Sequence, residues 1–222
     1  MDDVSANVRD LFVAYINNET LVKIRSTYNE NEGFYLLTLP TTGTTFCFDV
    51  RSKLEDGTFK TTIWNNIAPY GLCTTRTRLT YLGKAGMIGL YDGYLDNTSS
   101  YRMAYRSTWQ HLENQTQIKM LKSLEVTTIG GTTNASLIAK IKYDYKATDN
   151  SFVKLMSSTD PAEYGVAEYG ISEYYTTSFI STYKYQLMGS GRTFQFAIES
   201  DINGAALSIQ KIDILTKLGR IV

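Results

Sequence analysis

The C-terminal segment constrains the fold of this chain most, because its large apolar residues recur at every second position. Phe194, Phe196 and Ile198 share one parity, and Gln195 and Glu199 lie on the other. A period of two is that of a β-strand with one buried and one solvated face. The sequence therefore predicts a strand over residues 193–200.

A second closing strand is predicted over residues 207–216, and Asn203-Gly204 between the two strands is a typical hairpin turn. We therefore expect the two strands to form a hairpin. The apolar residues of the second strand change parity part-way along it: Leu207 and Ile209 first, then Ile212 and Ile214. A shift of one residue is the mark of a β-bulge, which we place near Gln210.

The first half of the chain is also rich in strands. Short runs of Thr, Tyr, Phe, Val and Ile predict strands over residues 34–39 and 44–50, and Asp56-Gly57 precedes another that ends near Trp64. A second such unit follows and ends at Asp92-Gly93. Two hairpin units at this spacing resemble blades of a β-propeller. One or two blades cannot close a ring, so either further blades lie in a longer chain or these strands join the next domain.

From Tyr101 onward the strands become longer. Residues 101–109 alternate in the manner of a strand with one buried and one wet face, and so do residues 136–145. A strand between them runs into Gly130-Gly131, which we interpret as a hairpin turn. The fold class predicted is all-β: partial β-propeller-like blades over residues 1–98, with one short N-terminal helix, and an antiparallel β-sandwich over residues 99–222.

A Tyr- and Glu-rich segment interrupts the predicted sandwich at about residues 147–183. Its Glu-Tyr pairs recur at a period of five, which fits neither a helix nor a strand, so we expect a long ordered loop or hairpin extension. Tyrosine suits interfaces, because its ring packs while its hydroxyl reaches water or a partner. The candidate interface residues are Tyr164, Tyr169, Tyr174 and Tyr175.

Composition narrows the function. The 22 basic and 22 acidic residues give a formal net charge of +0, which argues against a dedicated nucleic-acid binder. Basic residues are spread over many strands, and we interpret most of them as lying on solvated strand faces. The alternative is that several of them line a groove that binds a polyanion. Cys47 and Cys73 are interpreted as buried free thiols. No segment has the length of a transmembrane helix or the pattern of a secretory signal.

Catalytic motifs are absent from the sequence. His111 is the single histidine and lies outside any catalytic motif, so we expect a surface histidine. Turn acids such as those of YDGYLDN match a calcium loop poorly and are interpreted as turn formers. GSGRTF at residues 189–194 lacks the ending of a phosphate loop and is interpreted as a turn. We predict no catalytic, cofactor-binding or metal-binding residues, no cofactor, and a protein that is not an enzyme.

Three stretches carry a resemblance to a known family: residues 80–109, 119–131 and 189–220. Their order of strands and turns resembles the C-terminal part of tail proteins from short-tailed bacteriophages, namely the tail nozzle or tubular proteins and the related head-to-tail stabilisation proteins. The resemblance implies a virion structural protein, made in the host cytoplasm, in which a propeller and a sandwich form part of the DNA exit channel. It implies as partners other copies of the chain in a ring, tail adaptor and portal-complex proteins, and non-specific contact with passing DNA.

The sequence is also compatible with two other functions. Aromatic and acidic residues on loops also suit a receptor- or carbohydrate-binding module of a tail fibre or surface protein. A β-sandwich hydrolase would need two carboxylates across a cleft, for which Glu163 and Glu168 are candidates.

Overall fold

A computed structural model describes residues 8–54, 57–65, 67–112, 116–156 and 180–219. The chain divides into two compact units, Met1–Asp92 (unit 1) and Gly93–Val222 (unit 2). Strands are the predominant secondary structure among the described residues of both units, and all pairing between the described strands is antiparallel. The prediction of an all-β fold with one short N-terminal helix is confirmed.

Unit 1 contains the helix and two antiparallel meanders. The helix is α1 (Arg9–Asn17), and a short 3-10 helix follows it (Leu21–Lys23). Sheet 1 pairs its strands in chain order: β1 (Arg25–Asn29), β2 (Phe34–Leu39), β3 (Thr44–Lys53) and β4 (Phe59–Asn65). Sheet 2 does the same: β5 (Gly71–Thr74), β6 (Thr80–Lys84) and β7 (Met87–Leu90). The strands predicted over residues 34–39 and 44–50, and the one ending near Trp64, are therefore confirmed.

The core of unit 1 lies between α1 and sheet 1. Phe12 and Tyr15 of α1 meet the fully buried ring of Phe46 edge-on, at centroid distances of 5.3 and 5.7 Å. Edge-to-face contact is a favoured geometry for aromatic rings because their faces are negative and their edges positive. The apolar stripe of the helix is thus fixed against the middle of β3.

Glu19 connects the end of α1 to the turn between β2 and β3. Its carboxylate accepts hydrogen bonds from the backbone N–H groups of Thr20, Thr41 and Thr42 at 2.9–3.1 Å. Burial raises the pKa of this carboxyl, but the hydrogen bonds outweigh that effect, and the pKa is lowered overall. The charged form is therefore favoured in the folded protein.

We expect Glu19→Gln to destabilise unit 1 by about 1–2 kcal/mol at pH 7, because an amide loses the charge that strengthens these bonds. A carboxyl whose pKa is lower in the folded than in the unfolded protein stabilises the fold at every pH above its unfolded-state pKa. This stabilisation is lost as the pH falls through the folded-state pKa. The difference between the two proteins should therefore shrink below about pH 5. Urea unfolding in a Trp109→Phe background, in which Trp64 reports on unit 1, measures it. A difference that is constant down to pH 3 would contradict the role given to the charge.

Unit 2 contains two further sheets. Sheet 3 has the order β11 (Asn150–Leu155), β10 (Ser136–Tyr143), β14 (Phe194–Ile202) and β8 (Tyr101–Arg106). In sheet 4 the central strand is β9 (Lys119–Gly130). Along one side of β9 lie β12 (Ile180–Gln186) and β13 (Ser190–Gly191), and along the other lies β15 (Leu207–Leu218).

One hydrophobic core is shared by sheets 3 and 4. Leu124 and Val126 of β9 belong to it together with Leu137 and Ile141 of β10, and each of the four is at most 1% exposed. Tyr185 of β12 crosses this core, and its hydroxyl donates a hydrogen bond of 2.8 Å to the Leu137 carbonyl. A shared core of this kind is the arrangement of a sandwich-like pair of sheets.

The two glycine turns predicted as hairpins are not hairpins. Strand β9 does not pair with β10 across Gly130-Gly131, and β14 does not pair with β15 across Asn203-Gly204. Both connections instead carry the chain from one sheet to the other. They meet each other, since the Gly131 N–H donates to the Ala206 carbonyl at 2.7 Å. Glycine provides a tight change of direction whether or not the flanking strands pair, so the local signal was correct and the pairing wrong.

The bulge predicted near Gln210 is confirmed. Ile209 lies opposite Thr128 and Lys211 lies opposite Thr127, so Gln210 is the extra residue. The extra residue leaves Ile209 and Ile212 on the same side, where both pack against the core. A second register shift follows further along the same pair of strands, where Lys122 of β9 is the extra residue. Each strand of the pair is therefore bulged once.

Two other predictions need correction. The apolar face expected of residues 101–109 is poorly buried, with Tyr101 and Tyr105 40% and 49% exposed, because β8 is an outer strand of sheet 3. The long loop or hairpin extension expected over residues 147–183 is wrong at both ends, because β11 and β12 are strands of sheets 3 and 4, and residues 157–179 lie outside the described residues. Most side chains of β11 are exposed, so its sequence has no buried face to reveal a strand.

Candidate assembly surfaces

The predicted interface tyrosines lie outside the described residues. They are Tyr164, Tyr169, Tyr174 and Tyr175, and the acidic pair Glu163 and Glu168 lies outside as well. The surfaces described below are therefore built from other side chains.

Several exposed apolar side chains lie on the outer strands of unit 2. Val153 and Leu155 of β11 are 58% and 63% exposed, and Ile180 of β12 is 68% exposed. Leu215 and Leu218 of β15 are 61% and 54% exposed. An outer strand also presents unpaired backbone donors and acceptors, which form a template for a further strand. These strands thus combine apolar side chains with free hydrogen-bonding groups, as sites of association do.

The outer face of sheet 3 carries a network of ion pairs. Arg102 binds Asp201 through two hydrogen bonds of 2.9 and 3.0 Å. Glu199, beside it, binds Lys140 at 2.6 Å and lies 3.6 Å from Arg102. The hydrogen bonds from Arg102 lower the pKa of Asp201. These basic residues, which were predicted to lie on solvated strand faces, are therefore neutralised by acidic residues on a neighbouring strand.

The network continues towards the far end of the sheet. Arg106 and Lys142 each lie 3.5 Å from the Oδ1 atom of Asp149, too far apart for strong hydrogen bonds. The outer face of sheet 3 thus presents four cations, Arg102, Arg106, Lys140 and Lys142, and three anions, Asp149, Glu199 and Asp201. It is close to neutral.

One basic residue is not on the surface at all. Lys119 is 1% exposed, and its ammonium group donates a hydrogen bond of 2.9 Å to the Arg192 carbonyl. Lys119 is therefore an exception to the interpretation of the basic strand residues as solvated faces. A buried ammonium group is stable only with such partners, and Lys119 therefore holds the segment before β14 against β9.

The glycine-rich segment GSGRTF is closed by an aspartate. The Asp144 carboxylate accepts hydrogen bonds from the backbone of Arg192 and Thr193 at 2.7 and 3.0 Å. A Cβ on Gly191 would lie within 3.0 Å of this carboxylate, so the glycine leaves room for it. The interpretation as a turn rather than a phosphate loop agrees with this geometry, because an acidic group occupies the amides that a phosphate would need.

An aromatic pair is formed by residues that follow β8 and β10 in the chain. The rings of Trp109 and Tyr145 have centroids 4.4 Å apart, and Tyr145 is 69% exposed. Tyr145 has a backbone φ of 59°, an uncommon conformation for a bulky side chain. No pattern in the sequence indicates this pair, because its members lie on different connections.

The two cysteines differ from one another. Cys47 is buried, as predicted, and desolvation raises the pKa of its thiol to about 11. Cys73 is exposed, contrary to the prediction, because it lies on the outward face of the small sheet 2.

We therefore expect one fast-reacting thiol per chain. A thiolate is the reactive form, so an exposed cysteine reacts readily while a buried one with a raised pKa does not. Titration with a chromogenic disulfide at pH 8 should modify Cys73 in the folded protein and Cys47 only after denaturation. Cys73→Ser should remove the fast phase. Two fast phases in the native protein, or a fast phase that survives Cys73→Ser, would contradict this assignment.

The described residues also bear on catalysis and metal binding. His111 is exposed in a loop, as predicted. Among the described residues, no three His, Cys, Asp or Glu side chains form a group that could hold a metal ion. A concavity in unit 1 is bordered by Tyr15, Asn65, Tyr70 and Lys84, and no acidic or histidine side chain lines it. No described helix is long and apolar enough to cross a membrane.

Comparison with known proteins assigns the chain to no family. No protein-family model matches the chain, and no curated protein is significantly similar to it.

Proposed function

We propose that this chain is a structural component of the tail of a short-tailed bacteriophage, of the nozzle or tubular kind or of the head-to-tail stabilisation kind. In this proposal the meanders of unit 1 are blades of a β-propeller and unit 2 is the attached sandwich. Several copies surround the channel through which DNA leaves, and contact adaptor and portal-complex proteins. The protein is then located in the virion and has no catalytic role.

The observation that carries the proposal is the set of outer strands in unit 2. Their apolar side chains, among them Val153, Leu155 and Leu215, are more than half exposed in the isolated chain. Burial of such side chains against other subunits would remove them from water and supply binding energy of about 25 cal/mol per Å² of apolar surface. Of these outer strands, β8 and β15 lie within the stretches that resemble tail proteins, and β11 and β12 lie outside them.

The charge on the outer face of sheet 3 also suits a channel. Strong DNA binding needs many unpaired cations, because each neutralised phosphate releases counterions. The cations of this face are instead matched by acids at 2.6–3.6 Å. A nearly neutral wall lets DNA pass without holding it.

Mass spectrometry of purified virions tests this proposal. Particles of the phage whose genome encodes the chain should be purified through a density gradient and compared with the unbound lysate fraction. We expect the chain in the particles, in a constant ratio to the portal protein and resistant to a high-salt wash. Its absence from particles, with the protein recovered only from the lysate, would overturn the proposal.

A receptor- or carbohydrate-binding module is a second candidate, favoured by the pair Trp109 and Tyr145. Aromatic rings that reach the surface stack on the apolar faces of sugars, and polar groups beside them fix orientation. Arg106 and Lys142 carry polar groups near the ends of β8 and β10, the strands that precede Trp109 and Tyr145 in the chain.

Glycan arrays and host-cell binding by the purified chain test this candidate. Binding that is lost in Trp109→Ala and Tyr145→Ala, and kept in the control Tyr70→Ala, would favour it over a purely structural role. Tyr70 is a suitable control because it is 52% exposed and belongs to unit 1. No binding by the native chain would remove the candidate.

A further inference from the structure

Strand β15 has one edge that no described strand covers. It runs over Leu207–Leu218 and pairs with β9 alone. Natural proteins usually protect such an edge with charges, bulges or shortness. Here the bulge at Gln210 protects the first part. The remainder of β15 contains no extra residue, because the second register shift of this strand pair lies in β9 at Lys122, and it includes the exposed side chains of Leu215 and Leu218.

The regular part of β15 has a charge pattern that is complementary to itself. On its outward face Leu215 is preceded two residues earlier by Asp213 and followed two residues later by Lys217. Asp213 binds Lys211 of the same strand at 2.7 Å, and both side chains are more than half exposed. Lys217 has no ion pair within the part of the chain that the structure describes.

We propose that β15 pairs antiparallel with β15 of a second copy of this chain, centred on Leu215. In this register Asp213 lies opposite the second copy's Lys217, and the symmetry repeats the pair on the other side of the centre. The two Leu215 side chains meet between the two charge pairs. On the opposite face Ile212 lies opposite the second copy's Leu218, so the exposed leucines of this strand gain apolar neighbours.

Neighbouring registers lose this match of charges. Centring the pair on Asp213 or on Lys217 puts that residue opposite its own copy. Centring it on Ile214 puts Lys211 opposite Lys217 twice. Like charges directly opposite each other destabilise a strand pair, so these three registers are disfavoured. Centring it on Thr216 brings no opposite charges together.

A register centred on Ile212 would match Lys211 with Asp213, but the bulge excludes it. Beyond the bulge the two faces of the strand are exchanged, so Ile209, which packs on the core, would lie opposite the outward-facing Leu215. Side chains on opposite faces cannot form cross-strand pairs. The register centred on Leu215 is the one in which charge and face both agree.

The contact has the size of an added strand. Seven residues on each chain face one another, from Ile212 to Leu218, and antiparallel pairing of this length forms about six to eight backbone hydrogen bonds. A twofold contact closes on itself, so it pairs two chains and builds no ring. The inference does not rest on the proposed place in a phage tail, and Leu215 cannot serve a ring contact and this twofold contact at the same time.

Charge reversal with rescue tests the register. We expect the full chain to form dimers in sedimentation velocity runs at increasing concentration. Asp213→Lys should place lysine opposite Lys217, and Lys217→Asp should place aspartate opposite Asp213. Each reversal changes two attractive pairs into two repulsive ones, so the dimer Kd should rise about tenfold or more. The control Lys154→Asp reverses the same charge on the outer strand β11 and should leave the Kd unchanged.

The decisive sample is a mixture of the Asp213→Lys and Lys217→Asp chains. The lysine introduced into one chain then faces the aspartate introduced into the other, and the unchanged Lys217 and Asp213 also face each other. A heterodimer should therefore form with a Kd near that of the native dimer. Circular dichroism confirms that each variant keeps its strands. A native chain that stays monomeric, a reversed chain that dimerises as well as the native one, or a mixture that does not associate would each overturn the proposal.

Discussion

Replacement of Gly130 by alanine is expected to destabilise unit 2 by about 3 kcal/mol or more. Gly130 has a φ of 72°, in the left-handed region where a side chain costs about 1–2 kcal/mol. An added Cβ would also lie 2.4 Å from the backbone carbonyl oxygen of Ala206, which no side-chain rotation can relieve. The two crossings between sheets 3 and 4 would have to move apart.

Gly204→Ala is the matched control for this substitution. Gly204 has nearly the same φ, 77°, but nothing lies within 4 Å of its added Cβ. It should therefore show only the backbone cost of about 1–2 kcal/mol. Urea unfolding in a Trp64→Phe background, in which Trp109 reports on unit 2, compares the two. Equal losses of unfolding free energy in the two variants would mean that Gly130 and the Ala206 carbonyl are not in close contact.

Deletion of Gln210 is expected to have a similarly large effect. Without the extra residue, one half of β15 must turn its apolar side chains away from the core, either Leu207 and Ile209 or Ile212 and Ile214. All four pack against the core of unit 2. Burial of an aliphatic side chain stabilises by about 1.5–3 kcal/mol, and these four are only partly buried, so loss of two should cost about 3 kcal/mol.

The control for the deletion is the substitution Gln210→Ala. Gln210 is exposed, and among the described residues its side-chain amide donates only to the Ser208 hydroxyl. Its replacement should therefore change the free energy of unfolding by less than about 0.5 kcal/mol. The same urea experiment measures both proteins. A deletion that is tolerated as well as the substitution would contradict the function of the bulge in keeping Ile209 and Ile212 on one face.

Local features of the fold could be predicted from the sequence, because their causes are local. Short runs of Thr, Tyr, Phe, Val and Ile predicted β2 and β3, and the change of parity among the apolar residues predicted the bulge at Gln210. Each of these features depends on a few neighbouring residues. Pairing could not be predicted in the same way. Asn203-Gly204 turns the chain equally well whether β15 returns to β14 or crosses to β9, and the choice depends on a core formed by strands far apart in sequence.

The candidate surfaces show the same division. Exposure of Cys73 and burial of Lys119 depend on the surroundings of each side chain. Cys73 lies on a solvated face of sheet 2, and the ammonium group of Lys119 contacts the Arg192 carbonyl. Neither partner can be identified from residues nearby in sequence. Charge matching across β8, β14 and β10 likewise depends on register, so basic residues interpreted as solvated from the sequence are paired on the outer face of sheet 3.

The central claim, that this chain is part of a phage tail, is tested most directly by locating it in the virion. Fab fragments raised against unit 2 should be added to purified particles and imaged by negative-stain electron microscopy, with Fab fragments against the major capsid protein as the control. We expect the Fab to surround the axis of the tail, at the same height in every particle. Label confined to peripheral fibres, label on the capsid, or particles that bind no Fab after partial disassembly would contradict the claim.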